Sequence, residues 1–114
     1  MNLYIDSTDN LKTVIKIDNH ELIKNYDSPR EQNILVIINE VLKKNKLSLK
    51  DISTIEVNPG PGSFTGTRVG VAIANTLAFA LGIKVNGHRP PIEPVYTEPP
   101  HITQRKVDST LKKV

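Results

Sequence analysis

The chain has 114 residues and a mass of 12.7 kDa, and its 15 Lys and Arg residues outnumber its 12 Asp and Glu residues. This length fits one domain that buries somewhat under ~70% of the surface of its unfolded chain. Cysteine is absent, which excludes a disulfide framework and a thiolate metal site. The charge excess lies in residues 84–114, which hold six Lys or Arg and three Asp or Glu residues.

No metal-binding or targeting motif is present. His20, His88 and His101 lie far apart in the sequence, so we expect neither a metal nor a cofactor. The chain begins with MNLYID, without the basic and long apolar regions of a signal peptide, and a cytoplasmic location is expected. The basic excess at the C-terminal end favours a solvated tail, and weak, salt-sensitive contact with RNA is the alternative.

Three short strands are predicted at the start of the chain. Apolar stretches at residues 2–6, 11–18 and 21–26 are separated by the turn-forming sequences STDN and NH. Because strands joined by such short turns pair with each other, we expect a three-strand meander.

A helix is predicted to begin at Ser28. Ser28 is a preferred N-cap residue, Pro29 suits the first helical position, and Glu31 completes a capping box. The helix should run to about Lys46. Its apolar residues span an arc of roughly 160°, so the helix either faces a partner or sinks deep into the core. These residues are Ile34, Leu35, Ile37, Ile38, Val41 and Leu42.

A glycine-rich stretch follows a predicted buried strand at residues 52–57. Strand, glycine turn and helix is the arrangement in which backbone N–H groups bind phosphate. However, no lysine follows Gly62 or Gly66 until Lys84, and a dinucleotide fingerprint would need glycine where threonine stands. Gly62 and Ser63 remain candidates for a phosphate site, although the sequence around them matches neither of these two motifs.

The helix predicted at residues 65–81 carries small residues at every fourth position: Gly66, Gly70, Ala74 and Ala78. Each glycine costs a helix on the order of 1 kcal/mol relative to alanine. We therefore interpret the stripe as a site of close packing against the sheet or another helix. The other faces are apolar too, but residues 69–83 are too short for a membrane span of ~20 residues, so no membrane association is expected.

Residues 58–87, NPGPGSFTGTRVGVAIANTLAFALGIKVNG, closely resemble the segment that marks the bacterial TsaB (YeaZ) family. The resemblance extends upstream to residue 1, and Thr67 stands where the family usually has leucine. After Gly87, the sequence HRPPIEPVYTEPPHIT resembles the segment that closes family members, so the chain looks like a short form lacking most of the second lobe. The expected organisation is a lobe at residues 1–87 and a Pro-rich, basic tail at residues 88–114.

The resemblance implies an α/β fold, a single ribonuclease-H-like lobe of the actin-like ATPase superfamily. It implies a mixed sheet of five strands, in which strands at residues 52–57 and at Ile83 join the meander, with two main helices packed on it. Five prolines within residues 90–100 exclude a helix there. We expect an extended tail that docks on the lobe through Ile92, Val95, Tyr96 and Ile102.

Family members are regarded as non-catalytic scaffolds that pair with the catalytic TsaD subunit, and with the ATPase TsaE, in forming threonylcarbamoyladenosine beside the tRNA anticodon. The resemblance thus implies a heterodimer with a TsaD-type enzyme and only indirect contact with tRNA. A homodimer through the same two helices is the alternative. The implied interface residues are Ile34, Ile38, Val41, Leu42, Gly66, Gly70, Ala74 and Ala78.

Asp6, Ser7 and Thr8 resemble the acidic-hydroxyl turn that holds phosphates in nucleotide-binding members of the superfamily. They join Gly62 and Ser63 as phosphate-site candidates. A nucleotide-binding or hydrolase-like protein is therefore the second functional hypothesis. No Ser-His-Asp set or HExxH motif supports it, and the paired metal-binding histidines of TsaD have no counterpart.

Overall fold

A four-stranded mixed sheet forms the centre of the protein, and two helices pack on one of its faces. The computed structural model describes residues 1–95. The strand order is β3-β2-β1-β4, with β1 antiparallel to β2 and parallel to β4. The predicted α/β class and the meander are confirmed. The strands are β1 (Asn2–Asp9), β2 (Lys12–Ile17), β3 (His20–Asn25) and β4 (Thr54–Val57), and the helices are α1 (Ile34–Lys44) and α2 (Phe64–Leu81).

Alternation along the strands gives the sheet one apolar face. Leu3, Ile5 and Ile15 are fully buried beneath the helices. The residues between them point to the opposite face, because successive side chains of a strand alternate. There Tyr4 is partly buried and Lys16 is exposed. Within residues 1–95 the core therefore lies between the sheet and the two helices, on one side only.

The fifth strand predicted at Ile83 is not formed, so this part of the fold prediction is wrong. The stretch after α2 lies beside β4, but only Val85 makes a bridge, to Ile55. It is too short for a strand because Gly82, which follows α2, is in the left-handed conformation and a turn begins at Asn86, whose φ is 52°.

α1 begins later than predicted. The chain after Ser28 makes only one turn of 3-10 helix, Pro29–Glu31. It then becomes extended at Gln32, whose side-chain amide donates a hydrogen bond to Thr13 Oγ1 at 2.8 Å. Ser28 caps this turn by accepting a hydrogen bond from the Arg30 N–H at 3.2 Å, and Pro29 follows it as predicted. The continuous helix predicted from Ser28 is wrong, since the chain leaves the helical path at Gln32.

α2 has the predicted extent, and its glycines bring it close to β1. A methyl group at Gly66 would lie 2.5 Å from the Ser7 carbonyl oxygen, and one at Gly70 would lie 2.1 Å from Ser7 Oγ. Ser7 Oγ also donates a hydrogen bond to the Gly66 carbonyl at 2.7 Å. Glycine is thus required at position 66 by the nearby backbone of β1, and at position 70 by the buried Ser7 side chain. The close-packing interpretation of the stripe is confirmed, with β1 as the neighbouring element.

α2 is longer than the stretch of residues 69–83 that was compared with a membrane span, because the helix begins at Phe64. Among residues 1–95, α2 is the one helix long and apolar enough to cross a membrane by length and composition, a test that the core helices of soluble proteins also pass. Its buried residues, Val71, Ala74 and Ala78 among them, lie against the sheet.

Residues 90–95, here called the strap, run back along α2. The Asn75 side chain holds the strap by two hydrogen bonds of 2.9 Å, donating to the Ile92 carbonyl and accepting from the Ile92 N–H. The Val95 N–H then donates to the Pro59 carbonyl at 2.5 Å. Docking through Ile92, which packs against the core, is confirmed. Val95 is not an apolar anchor, because its side chain is 51% exposed and only its backbone N–H is bonded. The other two predicted anchors, at positions 96 and 102, lie outside the described residues.

Gly66→Ala should lower the free energy of unfolding, although alanine favours a helix. Helix propensity alone would stabilise the variant by about 1 kcal/mol, but the added methyl would collide with the Ser7 backbone, and overpacking typically costs about 1–3 kcal/mol. Urea unfolding followed by circular dichroism measures the change. Thr65→Ala, at an exposed neighbouring position, should be neutral or slightly stabilising. A stabilised Gly66→Ala variant would contradict the close contact.

Candidate functional site

The residues predicted to contact a partner are core residues in this structure. All eight are buried: Ile34, Ile38, Val41 and Leu42 of α1, and Gly66, Gly70, Ala74 and Ala78 of α2. The wide apolar arc of α1 reflects deep burial, and the stripe of α2 reflects its packing on β1. Their assignment to a partner surface is corrected here, because the chain's own sheet supplies the contacts expected from a partner.

Exposed apolar side chains lie instead on the flanks of the two helices. Leu35 and Val36 of α1 are 54% and 56% exposed, and Val69 of α2 is 43% exposed. Between the helices, Ile73 and Leu77 are partly buried and pack against the core. These five residues are called the helix surface below.

A shallow groove of about 360 Å³ between the helices gives the helix surface its shape. A smaller groove of about 210 Å³ continues from Leu35 along α2, past Ile73 and Thr76. Neither groove is lined by a charged side chain, and the two grooves share Leu35 and Leu77. The larger groove is lined by Leu35, Val36, Ile38, Asn39, Leu42, Leu49 and Leu77.

The sequence carried a signal for one part of the helix surface. A helix on a sheet buries the centre of its apolar arc and leaves the edges exposed. Leu35 stands at one edge of the α1 arc, whereas Ile38 stands near its centre. Because the apolar arc of α1 is wider than packing on a sheet requires, it indicates that the edge residue Leu35 is exposed. Val69 and Leu77 had no such signal, because α2 is apolar nearly all round.

The phosphate-site candidates lie together where β1 meets the start of α2. The Ser63 N–H donates a hydrogen bond to the Thr8 carbonyl at 2.6 Å. A Cβ on Gly62 would lie 2.5 Å from Thr8 Cβ, so the glycine turn closes directly over Thr8. Ser63 Oγ accepts from the Gly66 N–H and caps α2, and Ser7 is buried. The sequence thus predicted which residues would lie together. In the structure, however, their polar groups hydrogen-bond to one another.

Asp6 is the charged member of this cluster. Burial raises the pKa of the Asp6 carboxyl, but hydrogen bonds from Thr8 Oγ1 at 2.7 Å, the Thr8 N–H at 3.0 Å and Asn58 Nδ2 at 3.2 Å outweigh burial and lower it below its usual value. The Tyr4 hydroxyl also donates to Asp6, at 3.5 Å. The pKa of Tyr4 is raised by burial and then by the charge of Asp6. Asp6 is therefore an anion at neutral pH.

An anionic Asp6 opposes the binding of a bare phosphate, since like charges repel unless a cation lies between them. Within the described part of the chain, no group of three His, Cys, Asp or Glu residues is placed to hold a metal ion. The arrangement works as a structural junction that ties β1, the glycine turn and α2 together. Phosphate binding here stays a prediction.

Comparison with known proteins places this fold in a family. A family model described as "TsaD: tRNA N6-adenosine threonylcarbamoyltransferase" matches residues 28–87, which is more than half of the chain. The chain is 41% identical over 61 residues to the tRNA threonylcarbamoyladenosine biosynthesis protein TsaB of Escherichia coli, covering 52% of this chain and 26% of that protein. It is 35% identical over 68 residues to TsaB of Buchnera aphidicola subsp. Schizaphis graminum, covering 60% of this chain and 32% of that protein.

A solved structure supports the same relationship. YeaZ from Pseudomonas aeruginosa superposes with a TM-score of 0.62 at 26% sequence identity, over 74% of this chain and 41% of that one. The chain spans about a quarter to a third of the length of the two curated relatives. The residues matched by the family model, 28–87, contain both helices, β4 and the glycine turn.

Asp6→Asn should destabilise the protein more at neutral pH than in acid. The folded pKa of Asp6 lies below the usual 3.8, so the anion stabilises the fold above about pH 4, and this stabilisation is lost as the pH falls through the folded pKa. The difference in melting temperature between wild type and variant, measured by circular dichroism, should narrow below about pH 4.

Asp27→Asn serves as the control for this experiment, because it removes a carboxylate from an exposed position. Its melting temperature should follow that of the wild type across the pH range. If the difference in melting temperature between wild type and Asp6→Asn stayed constant from neutral to acidic pH, the hydrogen-bonded anion would not contribute to stability.

Proposed function

The chain belongs to the TsaB (YeaZ) group of the TsaD family, and we propose that it is a non-catalytic subunit that supports a TsaD-type enzyme in forming threonylcarbamoyladenosine in tRNA. The enzyme binds the helix surface and not the buried residues of α1 and α2. A TsaE-type ATPase belongs to the same complex, tRNA is held mainly by the enzyme, and the complex works in the cytoplasm.

The observation that carries this proposal is the apolar helix surface with its two adjoining grooves. Leu35, Val36 and Val69 each expose between 43% and 56% of their area to solvent. Large apolar patches of this kind on soluble proteins mark interaction sites, because leaving them in water is unfavourable. A pair of helices from a partner would fit against α1 and α2 and the groove between them. The four helices would then form a bundle.

The two helices that carry the helix surface also carry exposed charged residues. Glu40 and Lys43 of α1 and Arg68 of α2 are exposed, and the Arg68 guanidinium lies over the Phe64 ring at 5.1 Å from its centroid. An apolar centre with a polar rim is the usual composition of a protein interface. The rim charges would orient the partner, while the apolar centre would supply most of the affinity.

The same surface fits a second copy of the chain. A two-fold interface places one patch against its own copy, and an apolar, uncharged centre meets this condition without repulsion. A homodimer is therefore the competing assembly. It uses the same residues, so only a measurement with both partners present separates it from the heterodimer.

Leu35→Asp and Val69→Asp should each weaken binding to the TsaD-type protein of the same organism by about 10- to 100-fold, because a charge would be buried in an apolar contact. Isothermal titration calorimetry measures the affinity, and reconstituted tRNA modification should fall in parallel. Leu11→Asp places the same charge at a residue that is 42% exposed but lies between β1 and β2, and it should bind as wild type does.

Equal loss in all three variants, or no loss in any, would contradict the assignment of the helix surface. A wild-type chain that is dimeric by light scattering, becomes monomeric with Leu35→Asp, and does not bind the TsaD-type protein would establish the homodimer instead.

ATP with magnesium at millimolar concentration should barely change the melting temperature. Stabilisation by a ligand follows RT ln(1 + [L]/Kd) and needs a Kd well below the ligand concentration. The cluster around Asp6 offers a carboxylate and polar groups already bonded to each other. A shift of several degrees in differential scanning fluorimetry would favour the nucleotide-binding or hydrolase-like hypothesis.

A further inference from the structure

A groove of about 530 Å³ at the carboxyl end of α2 combines an exposed aromatic ring with two cations. Phe79 is 81% exposed, the highest value among the large apolar side chains of residues 1–95. Lys84 and Arg89 line the same groove, and Pro90 of the strap forms one wall. Phe79 and Leu77 are two positions apart on α2, so they face different directions. The groove is therefore separate from the helix surface.

The two cations are held near each other by a tight turn. Val85 and His88 exchange both backbone hydrogen bonds at 2.9 Å, and Asn86 and Gly87 between them have φ values of 52° and 77°. These are the features of a two-residue hairpin turn. Lys84 and Arg89 are the next residues outward on its two arms, where like charges repel each other.

No carboxylate neutralises this pair within the described residues. The one ion pair there joins Lys16 to Glu21, with 4.0 Å between the charged atoms, on the sheet. The groove lining contains no acidic residue. Lys84 and Arg89 thus form no ion pair within residues 1–95, and an anion in the groove would interact favourably with both.

Both walls of the groove are fixed in place. The Asn86 side chain accepts a hydrogen bond from the Val57 N–H at 2.8 Å and donates to the Val57 carbonyl at 3.0 Å, which fastens the turn to β4. On the other side, Asn75 holds Ile92 of the strap in the same two-bonded manner. A site whose walls are already positioned loses little entropy when a ligand binds.

We propose that this groove binds single-stranded RNA, with a base stacked on Phe79 and flanking phosphates held by Lys84 and Arg89. Aromatic rings beside cations are the usual means of holding unpaired nucleotides, because every base has a face to stack and every linkage a negative charge. The choice of RNA over DNA rests on the proposed role in tRNA modification. The stacking and the charge contacts rest on the groove alone.

The helix dipole does not cancel this attraction. The carboxyl end of a helix carries roughly half a negative charge on its last carbonyls. Here the N–H groups of Gly82 and Ile83 donate to the carbonyls of Phe79 and Ala78, at 3.3 and 2.9 Å. Two full positive charges therefore outweigh a partial negative charge that is already hydrogen-bonded.

The test uses the full chain and a fluorescein-labelled oligouridylate of about 12 nucleotides, a length within the usual site sizes. Phe79→Ala should weaken binding by about 5- to 150-fold. Lys84→Gln combined with Arg89→Gln should reduce the slope of log affinity against log salt by roughly 1.4, which corresponds to two lost single-strand phosphate contacts. Lys12→Gln combined with Lys24→Gln removes two exposed charges from the sheet and should change the slope little.

Equal effects of the two charge-removing variants, or unchanged affinity of Phe79→Ala, would overturn the proposal. Equal affinity for a blunt RNA duplex would also overturn it, since paired bases cannot stack on Phe79. Loss of TsaD-type protein binding in Phe79→Ala, with RNA binding intact, would reassign the groove to a protein partner. RNA binding is measured without that protein, so its failure and the failure of the proposed function are separate results.

Discussion

The close approach of α2 to β1 at Ser7 is the contact on which the rest of the structure depends. Ser7 is buried and donates a hydrogen bond to the Gly66 carbonyl, while Gly70 leaves space for its hydroxyl. A side chain at either glycine would push the helix off the sheet. α2 holds the strap through Asn75, and the turn before α2 closes over Thr8. The distance between α2 and β1 therefore sets the positions of the Asp6 cluster, the helix surface and the groove at Phe79.

Features that depend on neighbours in sequence were predictable, and features that depend on tertiary contacts were not. The meander and α2 follow from turn residues and small-residue spacing. The start of α1 does not, because Gln32 leaves the helical path to reach Thr13. Periodicity also identified the apolar residues of both helices without showing what covers them. Ile38 and Gly70 were therefore placed at an interface, although the chain's own sheet covers them.

α2 presents different chemistry on its two flanks. Leu77 and Ile73 border the apolar grooves shared with α1, whereas Phe79 and Asn75 face the strap and the cationic groove. Thr76 lies between the flanks and lines a groove on each side. Under the two proposals, α2 contacts the enzyme through one flank and RNA through the other, and the buried stripe fixes the position of both flanks on the sheet.

Hydrogen bonds between residues 84–86 and β4 also determine whether another chain can pair with this edge of the sheet. Lys84, Asn86 and the Asn86 side chain satisfy the outward backbone groups of Ile55 and Val57, so this edge offers no template for an added strand. β3 forms the opposite edge and is largely exposed. An exposed edge invites pairing with a foreign strand. Charged Glu21 and Lys24 on β3 oppose such pairing, so the protein resists aggregation by covering one edge and charging the other.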